Sequence, residues 1–318
     1  MLLFIEYFIV ATIVVFAAVK ASHYIDLIDR TTKLSGAFLG GVLLSAVTSL
    51  PEFFTSLSAT LFLDKPALCI GNILGSDLFN IAMLSVLVLL AMRSFRRAQI
   101  GRGNIIVALY MVLIYGIMLL NYFGILDVEL MTINVITFLF VGIYALAVRH
   151  LAGESSEVCE ESEDEDEVKL SLRQIVTRFV ITAVVIVVMS VVLTYITDDI
   201  ATKYNLGVGL AGAIFLGVAT SLPEVASTIA LVRMRNYDIA VGNIVGSNLF
   251  NFLVLCTADF FSRGEVYDYS DFNVVKLLFF GAAATLLSVP MLKCRGWVVR
   301  SLCAICIVAC YIGFLLMK

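Results

Sequence analysis

The chain's 318 residues are 61% hydrophobic and only 14% charged, with a mean hydropathy of +1.03. This excludes a soluble domain and predicts a polytopic helical membrane protein embedded in a lipid bilayer. A net charge of −4 says little about partners, because much of the acid lies in one loop; no nucleic-acid partner is expected.

In chain order, the first apolar run, about residues 3–19, lacks a basic leader and reads as a membrane helix rather than a removable signal. Runs of similar character recur. Ten spans are predicted at about 3–19, 34–62, 66–91, 103–121, 128–148, 175–196, 206–232, 238–261, 274–292 and 297–317. Sixteen of the 21 Lys and Arg, Arg300 among them, fall with the connections after spans 1, 3, 5, 7 and 9. Those connections are therefore expected on the cytoplasmic side of a plasma (inner) membrane, with both termini outside.

Residues 1–150 make a first five-helix repeat and residues 173–318 a second, joined by an acidic cytoplasmic linker at 151–172. Because five is odd, the second half enters the membrane the other way up. The expected fold class is an all-α membrane protein of ten transmembrane helices in two inverted repeats. Nine acids from Glu154 to Glu167 crowd the linker without the glycine turn of a calcium loop, so it reads as a solvated connector. Seven cysteines, an odd number, argue against a fully paired disulfide framework. Cys303, Cys306 and Cys310 lie in the last apolar run with no histidine nearby and read as small packing residues.

One block is written twice. Thr48-Ser49-Leu50-Pro51-Glu52 returns as Thr220-Ser221-Leu222-Pro223-Glu224, and Gly71-Asn72 through Asn80 returns as Gly242-Asn243 through Asn251. Two of the four prolines thus hold matched positions in spans 2 and 7. Proline frees the carbonyl four residues earlier, here that of Val47 or Ala219. If the helix loosens there, the carbonyls of Ser45 and Thr48, or of Gly217 and Thr220, also face a bound cation.

Helical spacing puts Ser49, Glu52 and Ser56 on one face, and likewise Ser221, Glu224 and Thr228. Asn72, Ser76 and Asn80 form a polar ridge on span 3, matched by Asn243, Ser247 and Asn251 on span 8. Gly71/Gly75 and Gly242/Gly246 have the small-xxx-small spacing of close helix approach. Two carboxylates with amide, hydroxyl and carbonyl oxygens, and no imidazole, suit a hard cation such as calcium. Any one Ser or Asn is explained by helix–helix hydrogen bonding. The glutamates are not, since each costs roughly 2.5–3.5 kcal/mol at a helix centre and neither has a basic partner in its motif.

These residues resemble the two alpha-repeats of the calcium/cation antiporter superfamily, most closely its sodium/calcium exchanger branch, over nearly the whole chain. The resemblance implies Glu52 and Glu224 as central ligands, with carbonyl oxygens of Thr48 and Thr220. It implies Ser76, Asn80, Ser247 and Asn251 as flanking positions. The Ser49 and Ser221 hydroxyls, with the Ser45 and Gly217 carbonyls, would complete the sodium sites.

It further implies exchange of sodium for calcium by alternating access, with no cofactor, and spans 1 and 6 sliding as the gate. Val47 and Ala219 depart from the family's usual glycine, and Asn251 stands where some potassium-dependent relatives carry aspartate. Asp77 is an extra acid whose repeat mate is Asn248; bordering the ridge, it reads as a packing or partly solvated residue. Calcium/proton exchange is the alternative, and a cation channel a more distant one. No catalytic triad, metalloprotease helix or nucleotide loop points to an enzyme.

Overall fold

The computed structural model describes residues 2–32, 45–96, 98, 100–130, 133–154, 172–233, 235, 237–262, 264–294 and 296–317. Its longer helices are α1 (Leu2–Thr32), α2 (Leu50–Leu61), α3 (Pro66–Leu90), α4 (Arg102–Tyr122) and α5 (Val135–Glu154). They continue with α6 (Leu172–Lys203), α7 (Val208–Arg233), α8 (Tyr237–Phe261), α9 (Phe272–Lys293) and α10 (Trp297–Leu316). Among the described residues eight, all but α2 and α5, are long and apolar enough to cross a membrane. The chain is an integral membrane protein of polytopic helical fold.

Residues 34–44 of the second predicted span and 155–171 of the acidic linker lie outside the described residues. The fifth predicted span begins too early. Residues Glu129–Leu130 and Ile133–Asn134 pair as a short antiparallel hairpin, and helix starts only at Val135. Arg300, counted with a connection, lies within a helix, and Lys276 is a second buried helical cation. Arg300 is buried in α10 and donates to the Phe95 and Met291 carbonyls at 2.5 and 3.0 Å. Lys276 of α9 is buried and reaches the Met317 carbonyl at 2.7 Å. Helix C-terminal carbonyls lack intrahelical donors, and these cations supply them. Of the α10 cysteines, Cys303 and Cys310 pack against the core, whereas Cys306 is exposed.

Helix starts follow local chemistry. Pro66 opens α3, where a missing N–H costs no helical bond. Asp271 caps α9 by accepting from Asn273 N at 2.8 Å, and its other oxygen accepts Gly209 N of α7 at 2.7 Å. The turns into α3 and α8 hold Asp64 (φ 54°) and Arg235 (φ 62°), which are equivalent positions of the two copies.

The centre of the molecule is α3 and α8, the most buried of the candidate spans. Gly71 and Gly75 of α3 press on α7: a Cβ at Gly71 would meet the Gly209 oxygen at 2.4 Å, and one at Gly75 the Ala213 Cα at 2.4 Å. Only glycine admits that approach. The outer pair α1 and α6 pack chiefly on each other and turn Phe8, Phe16, Ile181 and Val184 outward. Tyr7 of α1 ties into α7 by donating to the Phe215 carbonyl at 2.6 Å.

Candidate functional site

The two proline motifs are housed differently. Around Glu52 the chain makes one turn of helix, Ser45–Thr48, breaks at Ser49, and starts α2 at Leu50. Pro51 then falls in a first turn, where its missing donor is harmless. Around Glu224, Pro223 sits inside continuous α-helix from Gly217, and the irregularity comes earlier as a π-helical turn at Gly212–Leu216. Such turns recur at functional sites because they misalign the helix around them.

Both routes deliver the acids to each other's serine. Ser49 Oγ donates to Glu224 Oε1 at 3.0 Å, and Ser221 Oγ donates to Glu52 Oε1 at 3.1 Å. Glu52 is 1% exposed and Glu224 0%. The second oxygen of each carboxylate, Oε2, is buried with no hydrogen-bond partner. Among the described residues the Lys65–Asp198 contact is an ion pair, and neither glutamate enters one. Among the described residues no group of three or more His, Cys, Asp or Glu could hold a metal ion, and what surrounds the two carboxylates here is neutral oxygen.

The ridges of α3 and α8 complete the surroundings. Asn72 Nδ2 donates to Ser56 Oγ at 2.8 Å and Thr55 Oγ1 at 2.9 Å; its mate Asn243 donates to Thr228 Oγ1 at 3.1 Å and the Glu224 carbonyl at 3.2 Å. These amides, read from the sequence as ridge residues, hold α2 and α7 against the ridges. Ser76 Oγ donates to the Gly217 carbonyl at 3.1 Å, whereas its mate Ser247 is buried with a bare hydroxyl. Thr48 and Thr220 turn their hydroxyls back to Ser45 O (3.1 Å) and Leu216 O (2.9 Å). Asn80 Oδ1, Asn243 Oδ1 and Asn251 Oδ1 are buried and unpartnered. Buried polar atoms are rarely left so, and among the described residues those left bare here are oxygens, the atom type that a hard cation takes.

Of the two sequence readings of Asp77, the structure keeps packing. The residue is 0% exposed, so partial solvation is ruled out; it packs between α3, α8 and α4, accepting Asn251 Nδ2 at 2.9 Å. The stripe Ser190, Thr194 and Thr197 of α6 was missed. All three are buried, and Thr194 reaches the Thr55 carbonyl at 3.4 Å. Its i, i+4, i+7 spacing was the available signal.

Comparison with known proteins bears on family and fold. The family model described as "Sodium/calcium exchanger protein" matches residues 2–152 and 175–318. The inner membrane protein YrbG of Escherichia coli (strain K12) is 27% identical over 280 residues, covering 84% of each chain. Among solved structures, the H+/Ca2+ exchanger CAX superposes with a TM-score of 0.74 at 16% identity, over 99% of this chain and 82% of that one. The sodium-calcium exchanger NCX_Mj gives 0.64 at 18% identity, over 100% and 99%. At such identities the likeness is one of fold.

Proposed function

The chain belongs to the sodium/calcium exchanger protein family of the calcium/cation antiporter superfamily, and on that premise we propose that it is a secondary antiporter exchanging sodium for calcium. The observation that carries the reading is the crossed pair of Ser–Glu bonds, with one bare oxygen left on each of two buried acids.

In this reading α2, within the span predicted at 34–62, and α5 complete ten spans. These form inverted repeats, 1–150 and 173–318, around the cytoplasmic linker 151–172, with both termini outside an inner (plasma) membrane. Glu52 and Glu224 are the shared ligands of calcium or sodium. Ser49, Ser221, Ser76, Ser247, Asn80 and Asn251 add side-chain oxygens, and Ser45, Thr48, Gly217 and Thr220 add carbonyls. Two empty buried carboxylates are costly to carry through a change of access; a bound calcium or several sodium ions neutralise them. Since both ions need the same two acids, occupancy is exclusive and exchange is strict. The α1–α6 pair, packed chiefly on itself, is the sliding gate.

Calcium uptake by purified protein in sodium-loaded liposomes at fixed pH tests the reading. Sodium-driven, saturable uptake is expected. Uptake only under a pH gradient without sodium would move the coupling to protons, and single-channel current without countertransport would end the antiporter reading.

A further inference from the structure

The α3–α8 contact carries four side chains at matched positions of the two copies: Asp77 with Asn248, and Asn80 with Asn251. None is more than 1% exposed. They bond crosswise. Asn80 Nδ2 donates to Asn248 Oδ1 at 2.9 Å, and Asn251 Nδ2 donates to Asp77 Oδ1 at 2.9 Å, so each bond is the other's counterpart.

An asparagine amide turned end for end presents two donors where it presented an oxygen. At a cation site the direction of the turn decides whether the residue is a ligand or a repellent. Here that direction is set by the group that each amide faces. Asn248 Nδ2 donates at 3.0 Å to the backbone carbonyl of Asp77. Its oxygen therefore faces Asn80, which must answer with nitrogen. Asp77 Oδ1 takes the nitrogen of Asn251 in the same way. Both constraints have one result: Asn80 Oδ1 and Asn251 Oδ1 are left buried and bare. The far oxygen of Asp77 lies 3.5 Å from Tyr115 Oη, a ring position that Gly281 admits, since a Cβ there would stand 2.7 Å from that hydroxyl.

We propose that Asp77 is a positioning residue of the ion site. Its carboxylate stays out of the ligand set and holds the Asn251 amide with its oxygen toward the ion, as Asn248 does for Asn80. The proposal rests on the antiport reading, in which Asn80 and Asn251 are ligands. A hydrogen bond to a carboxylate is roughly twice as strong as one between neutral groups, so an asparagine at position 77 weakens the bias and lets the Asn251 amide turn.

The test is calcium-dependent uptake by the full chain in liposomes, reading KM and maximal rate separately. Asp77→Asn is expected to raise KM about tenfold and to change the maximal rate less than about twofold. Asn251→Ser removes the amide, so adding Asp77→Asn to it should leave KM within about twofold. A charge acting through space would cost the same in both backgrounds, and that result overturns the proposal. The exchange Asp77→Asn with Asn251→Asp puts oxygens at both ends of residue 251 and should return KM to within about threefold of native; a KM as high as that of Asp77→Asn alone overturns it.

Should Asp77→Asn fail to fold, the exchange is compared with Asn251→Asp alone, where two carboxylates face each other. Tighter calcium binding by the exchange supports positioning, and equal binding overturns it. Native protein that takes up no calcium fells the antiport reading itself, a result distinct from native uptake that Asp77→Asn leaves untouched.

Discussion

At Glu52 the chain breaks at Ser49 and starts a new helix just before Pro51, whereas at Glu224 helix α7 runs unbroken through Pro223 and takes its irregular turn earlier, at Gly212–Leu216. The side chains nonetheless end in counterpart bonds, Ser49 to Glu224 at 3.0 Å and Ser221 to Glu52 at 3.1 Å. What the two copies share is the placement of oxygens, and the backbone path that achieves it is free to differ. The helix contacts differ as well. Gly71 lies against the backbone of Gly209, while its mate Gly242 faces only the Asn104 side chain, with a Cβ there meeting its oxygen at 3.1 Å.

The comparison is most sharply tested at the acids. Glu52→Gln and Glu224→Gln should each lower calcium uptake by more than about 100-fold, while the protein still inserts and elutes as native. A large difference between them would mean that one copy alone holds the ion. Next come the glycines. Gly71→Ala drives a methyl into a carbonyl and should cost about 1–3 kcal/mol in thermal melting, against less than about 1 for Gly242→Ala, whose neighbour swings away.

Ser49→Ala and Ser221→Ala each remove a hydrogen bond to a carboxylate, so both should raise the calcium KM by about tenfold and to similar extents. Unequal values would show that the crossed bonds are not equivalent in use. The smallest effect belongs to the partly exposed Lys65–Asp198 pair, which ties the α2–α3 turn to α6. Asp198→Asn should shift stability by no more than about 1 kcal/mol, read by the same melting assay.

Much of the site was legible in the sequence because polar groups in apolar runs are few and the block is written twice. The ridges Asn72–Ser76–Asn80 and Asn243–Ser247–Asn251 follow from helical spacing alone, and all six side chains are buried as expected. The crossed serines were not legible, because spacing relates residues within one helix and says nothing of which hydroxyl crosses to which acid. Nor was the π turn: Gly212–Leu216 is apolar whether the helix there is α or wider. For Asp77 the sequence left packing and partial solvation both open, since one helix viewed alone gives it a flank and α8 with Tyr115 of α4 close over that flank. The hairpin before α5 was hidden because Val128, Leu130 and Ile133 extend the apolar run that follows.

The bond from Tyr7 to the Phe215 carbonyl has a mechanical meaning. It grips main chain rather than a side chain, inside the wide turn and nine residues ahead of Glu224. A side-chain contact can slip by changing rotamer, but a carbonyl moves only with its helix. If α1 slides, it either snaps this link or drags the wide turn along. In the antiport reading, release of the ion is then geared to the travel of a helix that supplies none of the proposed ligands.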